Sequence, residues 1–223
     1  MGKMILYKEW LKTRGFIFGA LGALAVLVFY CLLTIIKTAQ LNGVDTIWVL
    51  LIQRDYVMVE TLKFFPVALG LLLAVVQYLP EISSKRLKLT LHLPYPQKKT
   101  VLAMYGYGML VLLAFFALMS AIIYAVMSHY VAAELVARVF ATVAVWYLAG
   151  FAAYLWGAAI CIEPTWKMRS VLLVLAAALL LLLFISGTPE AYNRILVCLA
   201  AYVLCGQLLI FHSIMRFKEG LQD

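Results

Sequence analysis

The sequence predicts an all-α polytopic membrane protein with six transmembrane helices, an N-terminal interfacial helix and both termini in the cytoplasm. Hydrophobic residues make up 66% of the 223 residues and charged residues only 13%, whereas a globular domain is about 45 to 50% apolar. The apolar residues also come in blocks long enough for a helix to cross a hydrocarbon layer of ~30 Å. A water-soluble domain could not bury so much apolar surface.

Six apolar blocks mark the predicted spans. Helices are expected because lipid supplies no water to satisfy open backbone groups, and a barrel would show alternating polarity. The first block is longer than the core of a signal peptide and lacks a small-residue cleavage site at its end, so we expect it to be retained as a span. The fifth block is the shortest. The predicted spans are 15–36, 56–79, 101–127, 140–162, 171–185 and 195–214.

The distribution of lysine and arginine predicts the orientation, because cytoplasmic segments carry the excess of positive charge. The side with few such residues holds Lys37, Arg54, Arg138 and Arg194. This asymmetry accounts for the net charge of +8, and a nucleic-acid site is not expected because no basic soluble face is present. The cytoplasmic set is Lys3, Lys8, Lys12, Arg14, Lys85, Arg86, Lys88, Lys98, Lys99, Lys167, Arg169, Arg216 and Lys218.

Residues 1–14 are predicted to form a short helix lying in the cytoplasmic interface. In helical form, one face is apolar and the opposite face is polar, which is typical of such a helix. An ordinary charged flank of the first span is the alternative. The apolar face would carry Met4, Tyr7, Trp10 and Leu11, and the polar face Lys8, Glu9, Lys12 and Thr13.

Cysteine and histidine show no pattern of a metal site or a disulfide framework. The four cysteines lie in or at the ends of apolar blocks without a C-x-x-C pair, so we expect them to serve in packing. The three histidines are scattered. No resident metal, cofactor or catalytic residue is therefore predicted for Cys31, Cys161, Cys198, Cys205, His92, His129 and His212.

The cytoplasmic segment 80–100 is too long and too patterned for a simple connector. Pro80 suits the first turn of a helix, Glu81 favours its positive N-terminal end, and Pro94 with Pro96 would stop it. The leucines also alternate with period two, as in a strand, but a lone exposed strand beside a membrane is disfavoured, so we prefer the helix. A basic loop resting on anionic headgroups is the alternative. The helix would present i,i+4 pairs on a docking face, formed by Leu87, Leu89, Leu91 and Leu93.

This segment ends in Leu-x-Leu-Pro-x-x-x-x-Lys before the third span, and together with Glu81 it resembles the permeases of type-2 ABC exporters. In that family the first cytoplasmic loop forms a coupling helix that seats in a groove of the ATPase subunit, and residues 7–12 look like its interfacial elbow helix. Many relatives carry a long external segment between the fifth and sixth spans, but only residues 186–193 are available here. The resemblance implies ATPase-coupling roles for Glu81, Arg86, Leu87, Leu89, Leu91, Leu93 and Pro94.

The resemblance implies that the whole chain, 1–223, is a single transmembrane permease domain that is not itself an enzyme. The sequence has no G-x-x-x-x-G-K-[ST] loop, so ATP and Mg²⁺ would be bound by separate ATPase subunits. The expected partners are two ABC ATPase subunits, a second permease that is identical or related, and the lipid bilayer of a bacterial inner membrane. A second cytoplasmic turn is a candidate auxiliary contact, with a tight interfacial turn as the alternative; its residues are Glu163, Trp166 and Lys167.

The spans carry little charge, which favours a hydrophobic or amphipathic exported cargo. Only Glu60 and Lys63 bring charge into a span, and they are interpreted as a structural ion pair or, alternatively, a cargo contact. Uncharged polar residues such as Gln77 and Ser120 are isolated. The alternatives in function are an ion-gradient-driven carrier or channel, an accessory assembly subunit, and an intramembrane enzyme, for which the G-x-S-x-G and H-E-x-x-H motifs are missing.

Overall fold

The computed structural model describes residues 2–42, 57, 59–83, 97–186, 188 and 190–219. Their regular structure is entirely helical, and two short 3-10 turns, Glu60–Leu62 and Asn193–Ile195, precede helices. The helices are α1 (Gly2–Asn42), α2 (Phe65–Ser83), α3 (Gln97–Tyr130), α4 (Ala133–Ile162), α5 (Trp166–Leu182), α6 (Leu196–Cys205) and α7 (Gln207–Glu219).

Four helical segments in the described part of the chain are long and apolar enough to cross a membrane. They contain most or all of the first four predicted spans. The prediction of an all-α membrane protein is therefore confirmed. The four segments are Lys3–Thr38, Glu60–Ser83, Lys99–Tyr130 and Ala133–Ile162.

The fifth and sixth predicted spans are shorter helices. Helix α5 has 17 residues, which corresponds to about 25 Å. The sixth block is divided into α6, of 10 residues, and α7, of 13 residues. Gly206 separates them, and its backbone N–H donates to the carbonyls of Tyr202 and Val203. Six crossings and cytoplasmic termini stay predictions.

Helix α1 runs through the predicted interfacial segment into the first span without a break. Its 41 residues span about 60 Å, twice the thickness of the hydrocarbon layer. Residues 2–14 are thus helical, but they are the first part of α1 and not a separate helix. The position of this part relative to the membrane surface stays a prediction.

Helices α2 and α4 form the tightest contact of the bundle and run parallel. A methyl group placed on Gly70 would overlap the carbonyl oxygen of Gly150, and one placed on Gly157 would lie 3.1 Å from Cβ of Ala74. Glycine at these positions lets the two backbones touch, as small residues do in other membrane helix pairs. Gly70 lies beside Gly150, and the later residue Ala74 lies beside the later residue Gly157. The C-terminal ends of α2 and α4 therefore lie at the same end of the bundle.

Helix α2 continues through Pro80 and ends at Ser83. The expectation that a new helix begins at Pro80 is therefore wrong. Proline interrupts a helix mainly by removing an N–H donor and crowding the preceding turn, and here the turn after Pro80 remains helical with Glu81 buried against α1. Residues 84–96, which hold most of the predicted coupling segment, lie outside the described residues.

Candidate functional site

The candidate site lies at one end of the bundle, which we call the basic end. It comprises the first part of α1, the last turn of α2, the first turns of α3, the α4–α5 turn and the end of α7. Ion pairs join Lys8 of α1 to Glu81 of α2, and Arg216 of α7 to Glu163 after α4. Since α2 and α4 are parallel, these two contacts lie at the same end.

The first contact is a group of four charged residues that we call the Glu81 cluster: Lys8, Glu9, Lys12 and Glu81. The Glu81 carboxylate lies 2.9 Å from Nζ of Lys8 and 3.2 Å from Nζ of Lys12. Lys12 also pairs with Glu9 at 2.8 Å. Glu9 and Glu81 are buried, and the Lys12 side chain is only 14% exposed. Two lysines and two carboxylates balance each other, so the cluster can be buried without net charge.

Thr13 extends this contact from α1 to α3. Its hydroxyl donates to the Glu9 carbonyl at 2.9 Å and lies 2.7 Å from the hydroxyl of Tyr107. Because the Thr13 proton is used within α1, the Tyr107 hydroxyl is the donor between the helices. A stretch of less than two turns of α1 therefore holds both helices that flank the segment 84–96.

The polar face of the first part of α1 points toward α2 and α3. Glu9 and Thr13 are buried, whereas Met4 is 75% and Tyr7 is 64% exposed. An interfacial helix would place its polar face in water and its apolar face in lipid. Here the polar side chains find their partners on α2 and α3, and the apolar side chains face outward, where lipid can cover them.

The second contact is a group that we call the Glu163 cluster: Glu163, Thr165, Arg169 and Arg216. Glu163 is fully buried. Its carboxylate accepts a hydrogen bond from Thr165 at 3.0 Å and lies 3.4 Å from Arg216. Arg169 donates to the Glu163 carbonyl at 2.6 Å. This cluster fixes the C-terminal helix α7 to the α4–α5 turn.

Glu163→Gln is expected to loosen α7, because the Arg216 guanidinium would lose its carboxylate partner in a mostly buried position. We expect amide hydrogen exchange in residues 207–219 to become about tenfold faster or more, which corresponds to ~1.4 kcal/mol or more of local stability. Lys167→Gln, an exposed change one turn away, is the control and should leave the exchange rates as they are. Equal rates in wild type and Glu163→Gln would contradict this anchoring role.

The predicted coupling residues divide into three groups. The carboxylates of Glu81 and Glu163 are buried within the chain, so they can influence a partner only through the helices that they hold. Trp166 and Lys167 are exposed at the basic end, and the ring of Trp166 lies against the guanidinium of Arg169. The predicted residues that lie outside the described part of the chain are Arg86, Leu87, Leu89, Leu91, Leu93 and Pro94.

Gln77, isolated in the sequence, belongs to a buried polar junction of α2, α3 and α4. Its amide nitrogen donates to the Met104 carbonyl at 2.7 Å, and its amide oxygen accepts from the Tyr154 hydroxyl at 2.8 Å. A side chain at Gly108 would overlap the Tyr154 hydroxyl, so glycine makes room for it. These hydrogen bonds join all three helices at Gln77, one turn before Glu81 on α2. Lipid could not replace them.

The prediction of a Glu60–Lys63 ion pair is wrong. Glu60 lies in a 3-10 turn and Lys63 follows it. The Lys63 ammonium instead lies 5.7 Å from the ring centre of Phe64 and 5.9 Å from that of Phe184. This geometry is a cation–π contact.

The four cysteines are free thiols, with Cys31 buried and Cys198 and Cys205 exposed. Within the described ranges, no three histidine, cysteine, aspartate or glutamate side chains come together as a metal site would require. No family model, curated protein or solved structure matches this chain.

Proposed function

We propose that this protein is the membrane-spanning permease subunit of an ATP-driven ABC exporter. A separate ATPase docks on the segment 80–100 and supplies the bound ATP and Mg²⁺. The observation that supports this proposal best is the Glu81 cluster with its Thr13–Tyr107 extension. It joins α1 to both helices that flank the predicted docking segment.

The mechanism is mechanical. A force applied by ATPase closure to residues 84–96 reaches α2 through Ser83 and α3 through Gln97, the described residues on either side. The Glu81 cluster and the Thr13–Tyr107 hydrogen bond pass that displacement to α1, and the α2–α4 backbone contact passes it to α4. Small shifts at one end of packed helices are typical of switching between discrete arrangements.

The proposed topology has six spans with both termini in the cytoplasm of a bacterium. Helix α5 serves as the fifth span, and α6 with α7 serves as the sixth. The basic end is then cytoplasmic, as its lysines and arginines require under the positive-inside rule. A second permease, identical or related, completes the pathway, which carries a hydrophobic or amphipathic cargo.

The docking proposal is tested by purifying the tagged protein from its own host in mild detergent. We expect an ATP-binding protein to co-purify, and Leu91→Asp to reduce its recovery at least about tenfold, because a charge on the docking face opposes burial. Lys3→Asp, an exposed change at the same end but outside the segment, is the matched control and should retain the partner.

Two results would contradict the proposal. One is recovery of a lone chain that is fully active in transport. The other is undiminished recovery of the ATP-binding protein with Leu91→Asp.

A further inference from the structure

A cavity of about 130 Å³ lies at the end of the bundle opposite the basic end. Its apolar floor includes Val145 and Leu183, and its polar wall includes Glu60, Lys63 and Glu190. A cavity of about 150 Å³ can hold benzene, so this volume admits a polar group of about that size. The cavity therefore combines one cation and two carboxylates above an apolar floor, a composition suited to a small ligand that carries both charges.

The Lys63 ammonium is fixed at the cavity wall by two aromatic rings. Phe64 and Phe184 have ring centres 5.4 Å apart, and the ammonium lies over both of them. Aromatic faces attract the charge but do not replace oxygen acceptors for its N–H groups. An anionic oxygen in the cavity would satisfy these donors with a charge-assisted hydrogen bond.

Glu190 is held at the cavity wall by an unusual backbone conformation. Its φ of 61° lies in the left-handed region, which a glutamate rarely adopts. Its backbone N–H donates to the Thr142 hydroxyl at 3.2 Å, and that hydroxyl donates to the Arg138 carbonyl at 3.1 Å. These bonds tie the segment after α5 to α4 and keep Glu190 at the cavity wall.

We propose that this cavity binds a zwitterionic group with a primary ammonium and a phosphate, as in ethanolamine phosphate. Lys63 receives the phosphate, and the carboxylates of Glu60 and Glu190 receive the ammonium. A primary ammonium is preferred to a quaternary one because it supplies N–H donors to the carboxylates of Glu60 and Glu190. The group belongs to a phospholipid headgroup or to a free small molecule, and this site is independent of the proposed transport function.

Lipid retention measured by native mass spectrometry tests the site. The purified protein is equilibrated with phosphatidylethanolamine, phosphatidylcholine or phosphatidylglycerol, and soluble phosphoethanolamine is added as a competitor. We expect preferential retention of phosphatidylethanolamine and about tenfold weaker binding, or more, in Lys63→Met. Lys37→Met, an exposed lysine of α1, is the matched control and should bind as wild type does.

Glu190→Gln provides a second test that does not depend on the folding of Lys63→Met, because the Glu190 side chain is exposed. We expect Glu190→Gln to weaken the binding of phosphatidylethanolamine as well. Glu134→Gln, which changes an exposed carboxylate outside the cavity, should leave this binding as it is in wild type. Competition by soluble phosphoethanolamine would identify a free ligand, and retention without competition would identify a lipid headgroup. Equal retention of the three lipids by wild type, with no displacement by phosphoethanolamine, would overturn the proposal, as would unchanged binding in both cavity variants.

Discussion

Glu81→Gln is expected to lower the free energy of unfolding by about 3 kcal/mol. The substitution keeps the shape of the side chain but leaves two lysines, Lys8 and Lys12, with Glu9 as the one carboxylate of the cluster. Lys12 is 14% exposed, and removing one partner of a buried ion pair typically costs 3 to 5 kcal/mol. The measurement is reversible unfolding in mixed detergent micelles with the helical signal of circular dichroism as the readout.

Two further variants separate the lost ion pair from a general effect of the substitution. Lys8→Gln should cost less than about 1 kcal/mol, because Lys8 is 39% exposed and Glu81 keeps Lys12. The double change Glu81→Gln with Lys8→Gln should cost less than the sum of the two single changes, because both remove the same ion pair. Equal losses in Glu81→Gln and Lys8→Gln, or losses that add fully in the double variant, would contradict the cluster as described.

Gly70→Ala is expected to destabilise the protein by about 3 kcal/mol, at the upper end of the usual cost of overpacking. The added methyl group would overlap the Gly150 carbonyl oxygen. Neither backbone can yield without moving a helix, so α2 and α4 would have to separate. The same unfolding measurement in mixed micelles checks this result.

Other glycines provide graded controls for Gly70→Ala. Gly157→Ala should cost less, because its methyl group would meet Cβ of Ala74 at 3.1 Å and not a backbone oxygen. Gly19→Ala should be neutral or stabilise by up to about 1 kcal/mol, because nothing lies within 4 Å and alanine favours the helix. Equal effects of Gly70→Ala and Gly19→Ala would contradict the close α2–α4 contact.

The sequence predicted the membrane class and four long helices because a span needs a long apolar block, and that signal is local. It also identified Glu81 and Glu163 as notable. It did not identify their partners, since Lys8 and Lys12 precede Glu81 by about 70 positions and Arg216 follows Glu163 by 53 (216 minus 163). Which helices meet is decided by packing of the whole bundle.

The sequence did not predict the inward polar face of α1, because an amphipathic helix can be arranged in two ways near a membrane. When the helix lies on the membrane surface, its polar face points to water. Within a bundle, it turns toward protein partners and the apolar face turns to lipid. The pattern of Lys8, Glu9, Lys12 and Thr13 is the same in both cases, and only the carboxylate on α2 distinguishes them.

The Glu60–Lys63 ion pair was predicted from spacing alone, and spacing does not reveal competing partners. Spacing of three residues brings side chains together on one face of a helix, but the Lys63 ammonium lies over the Phe64 and Phe184 rings. The aromatic ring that Lys63 contacts instead, Phe184, is distant in sequence. Cation–π partners of this kind leave no periodic signal.

The pairing of Lys8 and Lys12 with Glu81 has a consequence for biogenesis in the proposed orientation. Before α2 enters the bilayer, both lysines lack the carboxylate of Glu81 and act as topogenic signals that retain the amino terminus on the cytoplasmic side. Once α2 has inserted beside α1, the Glu81 carboxylate pairs with both lysines and holds the two helices together. The order of synthesis therefore lets two residues first direct insertion and afterwards secure assembly.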